Sequence, residues 1–330
     1  MNNVALVGID LGKHSFHLHG QDNRGHMVFR KKITRKQLIE FFSNFPLCTV
    51  VMEACAGAHQ MKLISPQFVR PFVKGNKNDF VDAEAICEAA SRPSMRFVTP
   101  KTESQQTLAA MHRVREALIR DRTGTINQIH GFLLEFGISL PMGQAVIKRL
   151  PALLTEHTLP PRLVAVLERL HAHYQYLNEQ INAIEKELRQ QLADDDTGQR
   201  LLTIPGIGPI TASVLAADIG DGKQYSCSRD FAASVGLVPR QYSTGGKANL
   251  LGISKRGDKN IRRLLVQCAR AIMQRVDKRT DQLGCWIRAM MQRRHSNVVA
   301  CALANKLARI AWAVAARNQV FEERALAMPG

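Results

Sequence analysis

Four carboxylates sit where packing does not explain them. Asp10 and Glu53 each close a short apolar run, at residues 4–10 and 48–53. A carboxylate at the end of a buried strand has no packing role and is costly without a partner. Asp79 and Asp82 stand three apart in a helical pattern and so share a face. Acids drawn from two strands and one helix are hard oxygen donors of the kind that hold two magnesium ions, with positions left for substrate phosphates. Such a pair activates one oxygen and stabilises the leaving one in phosphodiester chemistry. Taken singly, Asp79 also fits a first-turn acid favoured by the helix dipole, and Asp10 a turn residue ahead of Gly12-Lys13. His14, His17 and His19 lie close by, and the last two share a strand face. No Cys or acid completes a transition-metal set with them at ordinary spacing, so they are expected at the surface or in packing.

A second group of residues faces polyanions. Leu201 to Ala212 reads as two helices joined by Gly206-Ile207-Gly208. The glycines permit a tight turn whose N–H groups can bind a phosphate without reading bases, although a plain packing turn fits the same pattern. Lys255, Arg256, Lys259, Arg262 and Arg263 open a basic helix able to line a phosphate-facing surface. Aromatic residues make up only 6% of the chain, so base stacking is not the expected contact mode. Between these lies Tyr242-Ser243-Thr244-Gly245-Gly246-Lys247, a hydroxyl-bearing loop. Hydroxyls beside glycines are ordinarily turn residues, and the residues alone do not single out a nucleophile.

The elements that must carry these groups follow from periodicity. Residues 4–10, 15–20, 27–29, 48–53 and 62–65 read as strands, with helices over 35–45 and 78–90. Two long amphipathic stretches, 104–136 and 163–192, suggest an antiparallel coiled-coil arm, and equally a bundle packed on the core. From residue 201 the chain reads as mostly helical, interrupted by a glycine-rich stretch at 236–257. Three domains are expected: 1–100, an α/β catalytic domain of ribonuclease-H-like layout; 101–198, a helical arm; and 199–330, a mostly α domain with the helix-hairpin-helix.

Charge supports that division. The formal net charge is +17, of which +5 lies in residues 1–100, none in 101–200 and +12 in 201–330. The excess therefore points to a nucleic acid held mainly by the last part of the chain. No run of about 18 apolar residues is evident, so no membrane partner is expected. Seven scattered cysteines without a CxxC pair, and no secretory leader pattern, suggest a reduced cytoplasmic protein.

Gly8-Ile9-Asp10, Val51-Met52-Glu53-Ala54, Lys77-Asn78-Asp79-Phe80-Val81-Asp82-Ala83, Ile204-Pro205-Gly206-Ile207-Gly208 and Gly236-Leu237-Val238-Pro239-Arg240, in that order, resemble the DEDD transposases of the insertion-sequence "one-ten" family. The resemblance spans nearly the whole chain. It implies a RuvC-like N-terminal domain whose metal-holding acids match Asp10, Glu53, Asp79 and Asp82, with Mg2+ as the cofactor. It further implies a coiled-coil arm, a C-terminal transposase domain, and recombination of double-stranded DNA by a homo-oligomer guided by a structured RNA. A serine of the C-terminal domain is implied to attack DNA and form a covalent phosphoserine link. Counting forward from Tyr242 puts that position on Thr244, and counting back from Ser254-Lys255 puts it on Ser243; Ser243 has the right chemistry.

One departure from the family pattern stands out. Only residues 54–61 separate Glu53 from the strand beginning at Lys62, where the family has a full helix. A parallel crossover ordinarily takes a dozen residues or more. The strand at 62–65 is therefore expected to be displaced, or the chain to have lost a helix and with it catalytic competence. The alternatives to a transposase are thus a catalytically impaired nucleic-acid-binding copy, or a Holliday-junction-type nuclease, which shares the acids but needs neither hairpin domain nor serine.

Overall fold

A computed structural model describes residues 3–12, 14–53, 62–73, 78–141, 143 and 147–322. The chain forms two compact units, Met1–Thr102 and Glu103–Gly330.

The first unit is built on a six-stranded mixed sheet in the order β3-β2-β1-β4-β5-β6. β1 (Leu6–Leu11), β2 (Ser15–Gln21) and β3 (Met27–Thr34) form an antiparallel meander. Asp22 shapes the second turn by accepting from the N–H groups of Arg24 and His26. Thr34 then starts helix α1 (Arg35–Ser43) through a capping box with Gln37. β4 (Thr49–Glu53) adds parallel to β1, β5 (Lys62–Ile64) parallel to β4, and the short β6 (Phe97–Val98) antiparallel to β5. Between β5 and β6 come a single helical turn, α2 (Pro66–Val69), and helix α3 (Asp79–Ala90). This mixed α/β layout fits the expected ribonuclease-H-like arrangement.

The strand period of two sorts side chains onto two layers. Val7 and Ile9 of β1, Phe16 and Leu18 of β2, and Met52 of β4 face α1, which covers them with Leu38, Phe41 and Phe42. Leu6 and Val51 lie on the opposite face with Ala85, Ile86 and Ala89 of α3. Gly8 is on that second face too. A Cβ there would stand 2.4 Å from the Ala83 carbonyl and 2.7 Å from Cys87 Sγ, so only glycine lets α3 lie this close to β1.

The expected displacement of the fifth strand is not observed. Val51 pairs with Lys62 and Glu53 with Ile64 in an ordinary parallel register. The reason is geometric. Because β5 pairs over only three residues, the chain leaving Glu53 must return about 7 Å along the sheet and about 5 Å sideways. Eight residues reach roughly 26 Å, so no helical crossover is required. The connecting residues 54–61 themselves lie outside the described ones.

The second unit starts with two 33-residue helices, α4 (Glu103–Glu135) and α6 (Pro161–Ala193), with the short α5 (Leu150–Glu156) between them. Arg115 pairs with Glu185 and Arg122 with Asn178, seven residues forward on one helix for seven back on the other, so the pair is antiparallel. One end has its own core of Ile129, Leu133, Ile147, Leu150, Leu167 and Tyr174. The other end packs on α8 (Pro209–Ile219), where His112 Nε2 meets Ser213 Oγ at 2.9 Å. The C-terminal core gathers α7 (Asp196–Leu202), α8, α9 (Ser228–Ser234), α10 (Lys259–Met273), α11 (Gln282–Met291) and α12 (Ser296–Ala316). By length and composition α12 is apolar enough to cross a membrane, contrary to the reading that no such segment exists. It carries Lys306 and Arg309 in its second half and buries Val299, Leu303, Leu307, Ala311 and Val314 in the core, as a central helix of a helical domain does.

Candidate functional site

The sheet register assembles the acids. Asp10 and Glu53 have the parity of Gly8 and Val51, so both lie on the α3 face, on adjacent parallel strands. Asn78 caps α3 by accepting from the Phe80 N–H (2.9 Å), which sets the helix start at the C-terminal ends of β1 and β4. Asp79 and Asp82 thus occupy the first turn of the helix that Gly8 admits. Carboxylate oxygens of Asp10 and Asp79 lie within 4.8 Å of each other. Burial, and next the negative charges of Asp10 and Asp82, hold the Glu53 carboxyl above the usual carboxylate range, with Arg70 pulling it the other way. All four acids are therefore electrostatic neighbours. Like charges gathered on a half-buried surface are the donor set for a divalent cation, which relieves their mutual repulsion. Their oxygen chemistry fits magnesium.

Of the two places expected for His17, surface or packing, the structure shows the second: its side chain is 7% exposed, and it lies opposite Asp10 in the β1–β2 register. Its Nδ1 is 3.4 Å from Asp79 Oδ2 and belongs to the same 4.8 Å cluster as Asp10 and Asp79. The edge of Phe80 holds the ring, with centroids 4.8 Å apart. An acid neighbour, absent at sequence spacing, is thus supplied across strands and from α3. The available signal was parity: His17 faces α3 if Asp10 does.

In the second unit, Ser243 and Thr244 sit on an exposed hairpin between β7 (Pro239–Gln241) and β8 (Leu250–Ile253). Gln241 Nε2 donates to Ser243 Oγ at 2.7 Å. The Thr244 carbonyl accepts from Lys247 N (3.1 Å) across the Gly245-Gly246 turn. Both hydroxyl residues are exposed, and Thr244 belongs to the turn closure itself.

The base of the hairpin is tightly fixed. Ser254 N donates to the Val238 carbonyl (2.8 Å) and Lys255 N to that of Gly236 (3.1 Å). A Cβ on Gly257 would fall 1.6 Å from the Ser234 carbonyl, at φ +79°. Arg262 Nη1 donates to the Val235 (2.9 Å) and Arg256 (3.2 Å) carbonyls. Arg262, expected on a phosphate-facing surface, uses Nη1 to hold the hairpin base. Arg263 pairs with Glu116 and donates to Asn260 Oδ1. Lys255, Arg256 and Lys259 remain exposed beside the hairpin. Elsewhere in this unit, Gly206 (φ +77°) turns the chain between α7 and α8, over the side chain of Ile272, and Gly208 precedes Pro209 as the N-cap of α8.

Comparison with known proteins shows the family. A family model described as "Transposase IS116/IS110/IS902 family" matches residues 198–284, and a second, described as a transposase, matches residues 53–138. The chain is 64% identical to the transposase for insertion sequence element IS1328 of Yersinia enterocolitica, over 98% of this chain and 100% of that protein. It is 40% identical to the transposase for insertion sequence element IS1111A of Coxiella burnetii, over 97% and 92%. A pilin gene-inverting protein of Moraxella bovis is 23% identical over 81% and 76%. The chain therefore belongs to the IS116/IS110/IS902 family of insertion-sequence transposases, enzymes that cut and join DNA.

Proposed function

We propose that the protein recombines double-stranded DNA with Asp10, Glu53, Asp79 and Asp82 as the holders of divalent metal, Mg2+ by donor chemistry, and Ser243 as the nucleophile. The observation that carries the reading is the gathering of the four acids at the strand ends beside the first turn of α3, where Asp10 and Asp79 oxygens lie within 4.8 Å and Asp10 and Asp82 add to the burial that raises the Glu53 carboxyl. When bound there, divalent metal supplies charge neutralisation of the scissile phosphate and of the leaving oxygen. Asp10 and Glu53, fixed by adjacent strands, and Asp79 and Asp82, fixed by a capped helix turn, supply a rigid donor set. Ser243 Oγ attacks phosphorus; a new P–O bond forms, one ester P–O bond breaks, and the departing sugar oxygen takes up a proton. The phosphoserine link keeps the bond energy, and attack by the hydroxyl of a new strand end reverses the step and rejoins the DNA. Gln241, donating to Ser243 Oγ, leaves the serine proton free to depart.

Lys255, Arg256 and Lys259 beside the hairpin, and the N–H groups at the Gly206-Ile207-Gly208 turn, contact phosphates and position DNA. The three-part division at residues 100 and 198, a homo-oligomer, a structured guide RNA and a cytoplasmic setting belong to the same reading through the family resemblance. The inverting relative is consistent with it, since inversion requires both cutting and rejoining.

The test incubates the protein with Mg2+, cognate RNA and donor and target DNA, and looks for a protease-sensitive covalent protein–DNA adduct. Wild type is expected to form it, with Ser243→Ala and Glu53→Gln forming none. Absence of adduct from wild type that still binds DNA and RNA overturns catalysis and leaves a binding protein. An adduct from Ser243→Ala transfers the nucleophile to Thr244.

A further inference from the structure

Two acids near a histidine are a common surface event, but this histidine is buried. The Nδ1 atom of His17 is inaccessible to solvent on a side chain only 7% exposed, and its nearest acid, Asp79 Oδ2 at 3.4 Å, is a charge contact without hydrogen-bond geometry. A buried polar atom without a hydrogen bond carries a desolvation penalty. Moving the ring out of the sheet would relieve it. The ring is instead held by the edge of Phe80, the residue that follows Asp79, and by its cross-strand position opposite Asp10. Its open nitrogen lies within 4.8 Å of one carboxylate oxygen of each of these acids. Two oxygens and one nitrogen converging from β1, β2 and α3 form a donor set that a cation would complete.

The two halves of the acid group then differ. Glu53 and Asp82 offer oxygen only, whereas the Asp10–Asp79 half also has an imidazole. Magnesium takes oxygen donors almost without exception, while manganese, equally at home among carboxylates, belongs to the first-row transition series and tolerates a nitrogen donor beside them. We propose that His17 is a metal ligand through Nδ1, making the Asp10–Asp79 position a mixed nitrogen–oxygen site that holds Mn2+ in preference to Mg2+. The proposal rests on the reading that the four acids hold metal, and it assigns His17 a role in choosing which ion occupies one half of the centre. It also gives the buried Nδ1, which makes no hydrogen bond, a partner.

The test uses the full chain loaded with Mn2+ alone and electron spin-echo spectroscopy, which detects nitrogen bound to the ion. Wild type is expected to show nitrogen coupling, and His17→Ala and His17→Asn to lose it. Mn2+ affinity in these variants should fall about 10–100-fold, the range seen when groups supporting a metal site are removed. Mg2+ affinity should change less than about 3-fold, since magnesium prefers the oxygen donors that remain. His17→Asn keeps a polar atom close to the place of Nδ1, so it decides the matter if His17→Ala fails to fold. Absence of nitrogen coupling in Mn2+-loaded wild type, or coupling that survives in a folded His17 variant, overturns the proposal. Asp10→Asn separates the two layers of argument: Mn2+ binding unchanged in that variant contradicts the acid site itself, whereas binding lost there but indifferent to His17 contradicts only the proposal.

Discussion

Replacing Gly8 by alanine probes how closely α3 must approach β1 for the acids to meet. The added Cβ would stand 2.4 Å from the Ala83 carbonyl and 2.7 Å from Cys87 Sγ, where ordinary contact begins near 3.4 Å. Ala83 is helix backbone and cannot rotate away, so α3 must retreat by about 1 Å, at the overpacking cost of about 1–3 kcal/mol. Asp79, Ala83 and Cys87 follow one another at intervals of four along α3, on the row of side chains facing β1. The retreat therefore carries Asp79 away from Asp10 by a similar distance. Catalytic groups tolerate about 0.5 Å, and a 1 Å misplacement costs on the order of 100-fold in rate. For a unit of this size, each kcal/mol lowers the melting temperature by about 4–8 °C. Calorimetric melting, together with Mn2+ titration and adduct yield, reads out both effects. Gly8→Ala that melts with wild type and binds Mn2+ equally well would refute the close helix–strand approach and the positioning argument built on it.

Other expectations concern the second unit. Burial, helped by Arg115, lowers the pKa of His112 from 6.5 to about 4. The unfolded chain thus binds the proton more readily, and this contribution to stability is present above pH 6.5 and lost as pH falls toward 4. Denaturant unfolding at pH 7.5 and pH 5 should differ by about 2 kcal/mol from this group, and His112→Gln should remove that difference. Arg262→Ala should cost about 1–3 kcal/mol through unpaired carbonyls and expose the hairpin to proteolysis. The salt dependence of DNA binding should stay unchanged; a slope reduced by about one would make Arg262 a phosphate contact instead. Gly131 lies in α4 with open space around its missing Cβ, so Gly131→Ala should stabilise by about 0.5–1 kcal/mol, and a lower melting temperature would contradict the helix assignment there.

Much of the site was legible because strand ends and helix starts announce themselves locally. Asp10 and Glu53 close apolar runs, and Asn78 followed by two early acids marks a helix start, so three elements could be read one at a time. What the sequence could not supply is what depends on pairing. His17 joins the acids only through the Asp10–His17 register, and a shift of one residue would turn it to the other layer. The parallel β4–β5 pairing is hidden in the sequence because the crossover length it needs depends on β5 pairing over only three residues. Arg262 reads as a surface cation, since one of its carbonyl partners, Val235, lies on the far side of a hairpin 27 residues away.

The central claim is that Asp10, Glu53, Asp79 and Asp82 form one metal centre. Anomalous scattering from crystals soaked in Mn2+ tests it most directly. The account predicts anomalous density within about 2.0–2.3 Å of carboxylate oxygens from all four residues, the spacing expected of hard-cation coordination. Density elsewhere, or at a site that leaves Glu53 and Asp82 without an ion, would contradict it.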